Sequence, residues 1–206
     1  MPHEQQVPSL VIRLVCDSII DNLGEKSLRL LFTQSGLQRY YHGGELPPAD
    51  ETPSATLDEL SALFATSFRI FGDKGVRPIL LRVGRSMLDH FRQTNRPLAA
   101  LAGTAFKILP TDAKIKLILS RSAKIGEELL HAPHQTYDTP DGYYVTISSC
   151  PYCVGTTAEH GICYLPIGFY SEALRWATGV VYPVKEIECR AAGGELCRFE
   201  IGRQPQ

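Results

Sequence analysis

Apolar residues recur with a period near that of an α-helix over the first two thirds of the chain, and alternate in pairs over parts of the last third. From Pro8 to Leu23 the residues Leu10, Val11, Leu14, Val15 and Ile19 fall on one face, predicting an amphipathic helix ended by Gly24. Glu25 to Ser35 predicts a second helix, apolar at Leu28, Leu31 and Phe32 and stopped by Gly36. His42-Gly43-Gly44 and the proline-rich run from Pro47 to Pro53 predict a loop. Thr56-Leu57-Asp58-Glu59 has the form of a capping box, opening a helix with Leu60, Leu63, Phe64 and Phe68 on one face and ending near Gly72. Ile79 to Phe91 predicts another helix, and Leu98 to Leu109 is apolar with small residues interspersed. Thr111 or Asp112 caps a helix reaching about Leu130, with Ile115, Leu119 and Ile125 inward.

The period then shortens. Tyr143 to Ser148 alternates as a strand behind the turn signal Pro140-Asp141-Gly142, and pairs in a hairpin with Gln135 to Asp138. Leu165-Pro166 marks the start of a helix that runs through Phe169, Ala173, Leu174 and Trp176 to Gly179. Val184 to Arg190 and Leu196 to Ile201 predict a last hairpin around Ala192-Gly193-Gly194, with Cys189 opposite Cys197 and Glu188 opposite Arg198. Helices first, then strands with one embedded helix, argue an α+β fold with helices packed on an antiparallel sheet.

Five of the six cysteines lie between Cys150 and Gly202. Opposed side chains in a hairpin have Cβ atoms roughly 4.5 to 5.5 Å apart, so Cys189 and Cys197 can share a metal ion or form a disulfide. Cys163, at the mouth of a helix, is the third candidate donor and Glu186 the fourth; three sulfurs and one carboxylate make a closed tetrahedral zinc site. An offset of three puts Glu186 and Cys189 on opposite faces of a regular strand, so the site requires a bulge or a strand start at Val184. Cys150-Pro-Tyr-Cys153 has the spacing of half a zinc ribbon or of a redox dithiol, and is assigned as a pair of accessory thiols. Cys16 reads as a small core residue. His160 is an alternative zinc ligand. Trp176, Tyr170, Phe169 and His134 are candidates for lining a ligand pocket, with His131 as a second histidine near it.

Charge narrows the function classes. With 21 basic and 22 acidic residues among 206, nothing electrostatic favours nucleic acid or an anionic membrane. The apolar run Leu10 to Cys16 is short and broken by Arg13, which predicts neither a signal peptide nor membrane insertion. Six cysteines without an export signal point to a reducing cytoplasm. No nucleophile elbow, phosphate-binding loop or dinucleotide fingerprint is visible, so no catalytic residue is assigned and catalysis is not expected.

The order Cys163, Glu186, Cys189, Cys197, with the ending E-I-E-C-R-A-A-G-G-E-L-C-R-F-E-I, resembles the 4-vinyl reductase domain, over about residues 140–202. That domain occurs in bacteriochlorophyll-biosynthesis proteins and in the sensor half of phenol- and aromatic-responsive activators. The resemblance implies a structural zinc on those four residues beside an effector pocket. It implies a ligand-binding fold shared with the TRAPP vesicle-tethering subunits and the heme NO-binding domains, here over 55–206. The ligand would be a hydrophobic small molecule, an aromatic or a tetrapyrrole; heme is not expected, because the Tyr-x-Ser-x-Arg motif of the heme-binding relatives is missing. Residues 1–45 resemble the helical extension that precedes the module and would serve a homodimer. The chain shows no ATPase or DNA-binding segment, so a sensory role would require a separate signalling partner. An accessory role in vinyl reduction and a TRAPP-like dimeric scaffold are the alternatives.

Overall fold

The computed structural model describes residues 5–41, 43–94, 106 and 108–206. The N-terminal pattern folds as its periodicity dictates. A short strand β1 (Gln6–Pro8) leads into α1 (Ser9–Leu23) and α2 (Glu25–Ser35). Gly24 and Gly36 divide and end these helices with φ of 79° and 76°, a region that glycine enters without a Cβ clash. The loop after α2 ends in a strand that the sequence does not announce. β2 (Pro53–Thr56) pairs antiparallel with β1, Val7 opposite Ala55; strands this short and proline-bounded carry too little alternation to read.

The capping box forms: the Thr56 amide donates to Glu59 Oε2 at 2.9 Å and the Glu59 amide donates to Thr56 Oγ1 at 3.2 Å. It opens α3 (Leu57–Thr94), whose helical path breaks at Gly72 (φ 64°, ψ 168°) and resumes at once. The second segment therefore starts before Ile79, because the stretch that reads as a loop carries the fully buried Val76. The helix predicted over 98–109 lies outside the described residues except for Phe106, Ile108 and Leu109. α4 (Thr111–Leu130) follows with Pro110 at its cap position and no side-chain cap; Asp112 instead pairs with Lys116 at 2.7 Å and accepts from the Tyr143 hydroxyl.

The last third forms the sheet. β3 (His134–Asp138), β4 (Gly142–Ile147), β5 (Val184–Glu188) and β6 (Cys197–Gly202) pair antiparallel in the order β3-β4-β6-β5, with α5 (Tyr164–Thr178) between β4 and β5 in sequence. On the inner face Tyr143, Val145 and Ile147 of β4 stand opposite Ile201, Phe199 and Cys197 of β6, all buried. Each large apolar side chain removed from water here contributes about 1.5–3 kcal/mol. One buried cluster runs from Val7 to Ile201.

α5 crosses α3 at a pair of glycines. A Cβ on Gly84 would stand 2.1 Å from the Leu165 carbonyl oxygen, and one on Gly168 would stand 2.1 Å from that of Leu81. Only hydrogen fits at either position, and the resulting close approach sets where the first turn of α5, with Cys163 before it, meets the rest of the fold. Among the described residues no helix is long and apolar enough to cross a membrane.

Candidate metal centre and adjoining cavity

Three segments deliver five thiols to one end of the inner sheet face. Cys150 and Cys153 lie in the turn that follows β4. Cys163 is the cap residue of α5, with Pro166 inside the first turn where amides lack helical partners. Cys189 comes just after β5, and Cys197 opens β6 opposite Ile147. All five are buried and none is in a disulfide. Their Sγ atoms stand 3.5 Å apart for Cys150 and Cys163, 3.5 Å for Cys153 and Cys197, 3.7 Å for Cys163 and Cys197 and 4.0 Å for Cys163 and Cys189. A disulfide needs about 2.05 Å. Four sulfurs around one zinc, each at about 2.3 Å, are spaced by about 3.8 Å along the tetrahedron edges, which is the spacing found here. An iron–sulfur core, which carries its own sulfides, would hold the thiolates further apart.

Glu186 reaches the cluster through the bulge that its spacing requires. Glu186 pairs with Phe199 and Glu188 with Arg198, so Ile187 is the extra residue; it is 50% exposed. This insertion turns Glu186 to the face of Phe199 and Cys197. Glu186 Oε2 then accepts the Cys163 amide at 2.8 Å, while Oε1 is buried without a partner. A buried carboxylate oxygen with no donor is costly unless a cation meets it. Gly161, which nothing in the sequence singles out, makes the approach possible: a Cβ there would lie 2.5 Å from Oε2. The hairpin loop is longer than predicted, with a 3-10 turn at Arg190–Ala192 and Gly193 in the left-handed region. Glu188 closes it, accepting the Glu195 amide at 3.1 Å and facing Arg198 at 3.5 Å.

The electrostatics of this cluster call for a cation. The thiols of Cys150, Cys163 and the other cysteines push the Cys153 thiol far below the usual range by donating to its thiolate. Burial pushes Cys150 up, and the neighbouring thiols push Cys163 up with it. Burial also raises the Glu186 carboxyl. One thiolate is thus sustained by its neighbours, and further ionisation requires positive charge. Two donor sets qualify for a metal ion: Cys163, Glu186, Cys189 and Cys197, and Cys150, Cys153, Cys163 and Cys197, with the atoms of each set within 4.8 Å of one another. His160 is not in either set; it lies at the surface, 3.2 Å from Asp73.

Next to the cluster is an apolar cavity of about 80 Å³. Tyr152, between the two accessory cysteines, and Leu165, Pro166, Phe169 and Tyr170, following Cys163, make one side of it. Val11, Leu14 and Val15 of α1, Leu60 and Phe64 of α3, and Ile125 and Gly126 of α4 make the other. Phe169, Tyr170 and His134 line it as their positions suggest. Trp176 does not line it, because its ring stacks on Phe106 at 5.8 Å with Arg92 over it at 4.6 Å. His131 is also elsewhere, 3.2 Å from the Gln6 carbonyl. His134 Nδ1 is 2.5 Å from the Ala132 carbonyl and burial lowers its pKa, so the neutral ring donates from Nδ1 and keeps Nε2 as an acceptor. Burial raises the hydroxyls of Tyr152 and Tyr170, which are un-ionised. The contributions of α1 and α3 are absent from any local motif; only their apolar stripes hint at them.

Among solved structures the fold is similar to an H-NOX protein from S. oneidensis in its Fe(II)NO state, with 11% identity, a TM-score of 0.63 and coverage of 97% of this chain and 99% of that one. It is also similar to an unliganded Fe(II) H-NOX protein from K. algicida (11% identity, TM-score 0.62, 96% of each chain) and to an oxygen-binding H-NOX domain related to soluble guanylate cyclases (12%, 0.57, 96% of each). A porphyrin does not fit the cavity of about 80 Å³, so heme is not carried over. No curated protein matches the chain. Residues 143–203 match the 4-vinyl reductase (4VR) domain, the family that the cysteine pattern resembles, so this chain carries that domain's sequence from β4 through β6 on an H-NOX-like α+β fold.

Proposed function

We propose that the chain is a small-molecule-binding module of sensory type, in which zinc on Cys163, Glu186, Cys189 and Cys197 holds one wall of the cavity in place. The observation that carries this reading is that the metal donors and the cavity wall share segments: Tyr152 lies between Cys150 and Cys153, and Leu165, Pro166 and Phe169 follow Cys163 directly. A zinc with four protein donors has no open position for a reacting water, so its contribution is structural. It supplies the cation that the orphaned Glu186 Oε1 and the clustered thiols call for.

The cavity favours a small ligand. It is about 80 Å³, against the roughly 150 Å³ of an apolar protein cavity that accepts benzene, so a single ring enters with some side-chain rearrangement and a tetrapyrrole does not. The acceptor at His134 Nε2 favours a ring that carries a hydroxyl. Occupancy of the cavity would be relayed through α5 and the metal loops to a separate protein.

Calorimetric titration with phenol and with toluene, on zinc-loaded and zinc-stripped protein, tests the reading. The zinc-loaded chain should bind phenol saturably, with toluene weaker by about fivefold, the worth of one hydrogen bond of about 1 kcal/mol. That preference should vanish in His134→Leu, and stripping zinc should weaken both ligands. Absence of binding by the zinc-loaded protein would overturn the proposal.

A further inference from the structure

We propose that the cysteine cluster is a two-metal centre: the zinc of the Cys189 and Glu186 side shares Cys163 and Cys197 with a second thiophilic divalent ion held by Cys150 and Cys153. The first ion rests on the zinc reading above; the second goes beyond it.

The argument is one of donor count, spacing and charge. The two four-donor sets have Cys163 and Cys197 in common. Two four-coordinate sites that share two donors need six, and the cluster holds six: five thiols and the Glu186 carboxylate. The shared sulfurs are 3.7 Å apart, close to a tetrahedron edge, and a thiolate has lone pairs enough to bind two cations at once. Each accessory thiol touches a different shared sulfur: Cys150 meets Cys163 at 3.5 Å and Cys153 meets Cys197 at 3.5 Å. That is the arrangement of two outer donors across a shared edge. Cys150 and Cys153 are also a Cys-x-x-Cys pair, a spacing that recurs in zinc sites.

Charge points the same way. One divalent ion on four anionic donors leaves a residual charge of minus two. Two divalent ions on five thiolates and one carboxylate leave the same minus two, so the second ion adds no net charge to a buried centre. It also gives Cys150 and Cys153, both almost fully buried, a partner that a single ion on the other set does not provide.

The test is a metal count on the intact chain. Stripped protein is reloaded with zinc and, separately, with cadmium-113, then read by native mass spectrometry and cadmium NMR. Two ions per chain are expected, with two cadmium resonances in the thiolate region that split each other through the shared sulfurs. The double variant Cys150→Ser/Cys153→Ser should hold one ion and give one resonance. A single ion in the unaltered chain would overturn the two-metal centre while leaving the zinc reading standing; no ion at all would overturn both. If the double variant does not fold, the count on the unaltered chain decides alone.

Discussion

Val11, Leu14 and Val15 of α1, with Phe64 of α3, hold their side of the cavity by apolar packing alone, whereas Tyr152, Leu165 and Tyr170 on the other side ride on segments joined by thiol donors. The first wall is a sum of many small terms. Losing one side chain from it costs that side chain and little else. The second is an assembly of donors brought together from three loops around one charge requirement, so its parts depend on one another. A sensor needs both kinds of wall: a forgiving one that accommodates ligand and a stiff one that reports it.

Removing a shared donor breaks the stiff wall most completely. Cys163→Ser takes a sulfur from both donor sets at once. Metal content should fall to background, and the fold should lose a sizeable part of the roughly 10 kcal/mol that a structural zinc contributes. Elemental analysis and urea denaturation read both effects; a variant with full metal content and an unchanged midpoint would contradict the assignment.

Phe64→Ala tests the forgiving wall. Phe64 is 3% exposed and its ring lies 5.2 Å from that of Tyr152 across the cavity. The substitution should cost about 3–5 kcal/mol and leave metal content unaltered, because no donor depends on it. Metal loss in this variant would show that the two walls are not separable.

The smallest effect concerns His134. Burial lowers its pKa from the ordinary value of 6.5, so the stability owed to its neutral form is complete above about pH 6.5. It is lost as pH falls through the lowered value, because the unfolded chain takes up the proton first. Melting temperature measured from pH 7 to pH 5 should decline, and His134→Leu should flatten that decline. An identical acid limb in the variant would place the titration elsewhere.

Much of the fold was legible in the order of residues. Helix periods, Gly24 and Gly36 as stops, the Thr56 to Glu59 capping box and the β3–β4 hairpin are local features, formed by neighbours within a few positions of one another. The family-like spacing of Cys163, Glu186, Cys189 and Cys197 was legible for the same reason, as a pattern of residue types. The β1–β2 pair was not, since its strands are too short to show alternation. Nor was the exclusion of Trp176 from the cavity, which depends on Phe106 and Arg92 meeting its ring.

By itself the sequence determined which segments are helical or extended and which side chains carry donor chemistry, because those properties are set by residue type and short-range periodicity. Only the tertiary structure decided which donors meet. The extra residue at Ile187 turns Glu186 inward, Gly161 leaves room for its carboxylate, and the Gly84 and Gly168 crossing brings α5 close to α3. With these approaches made, the turn at Cys150 and Cys153 joins the same cluster. Each is a contact between residues distant in sequence, governed by the space that remains when the whole chain has packed.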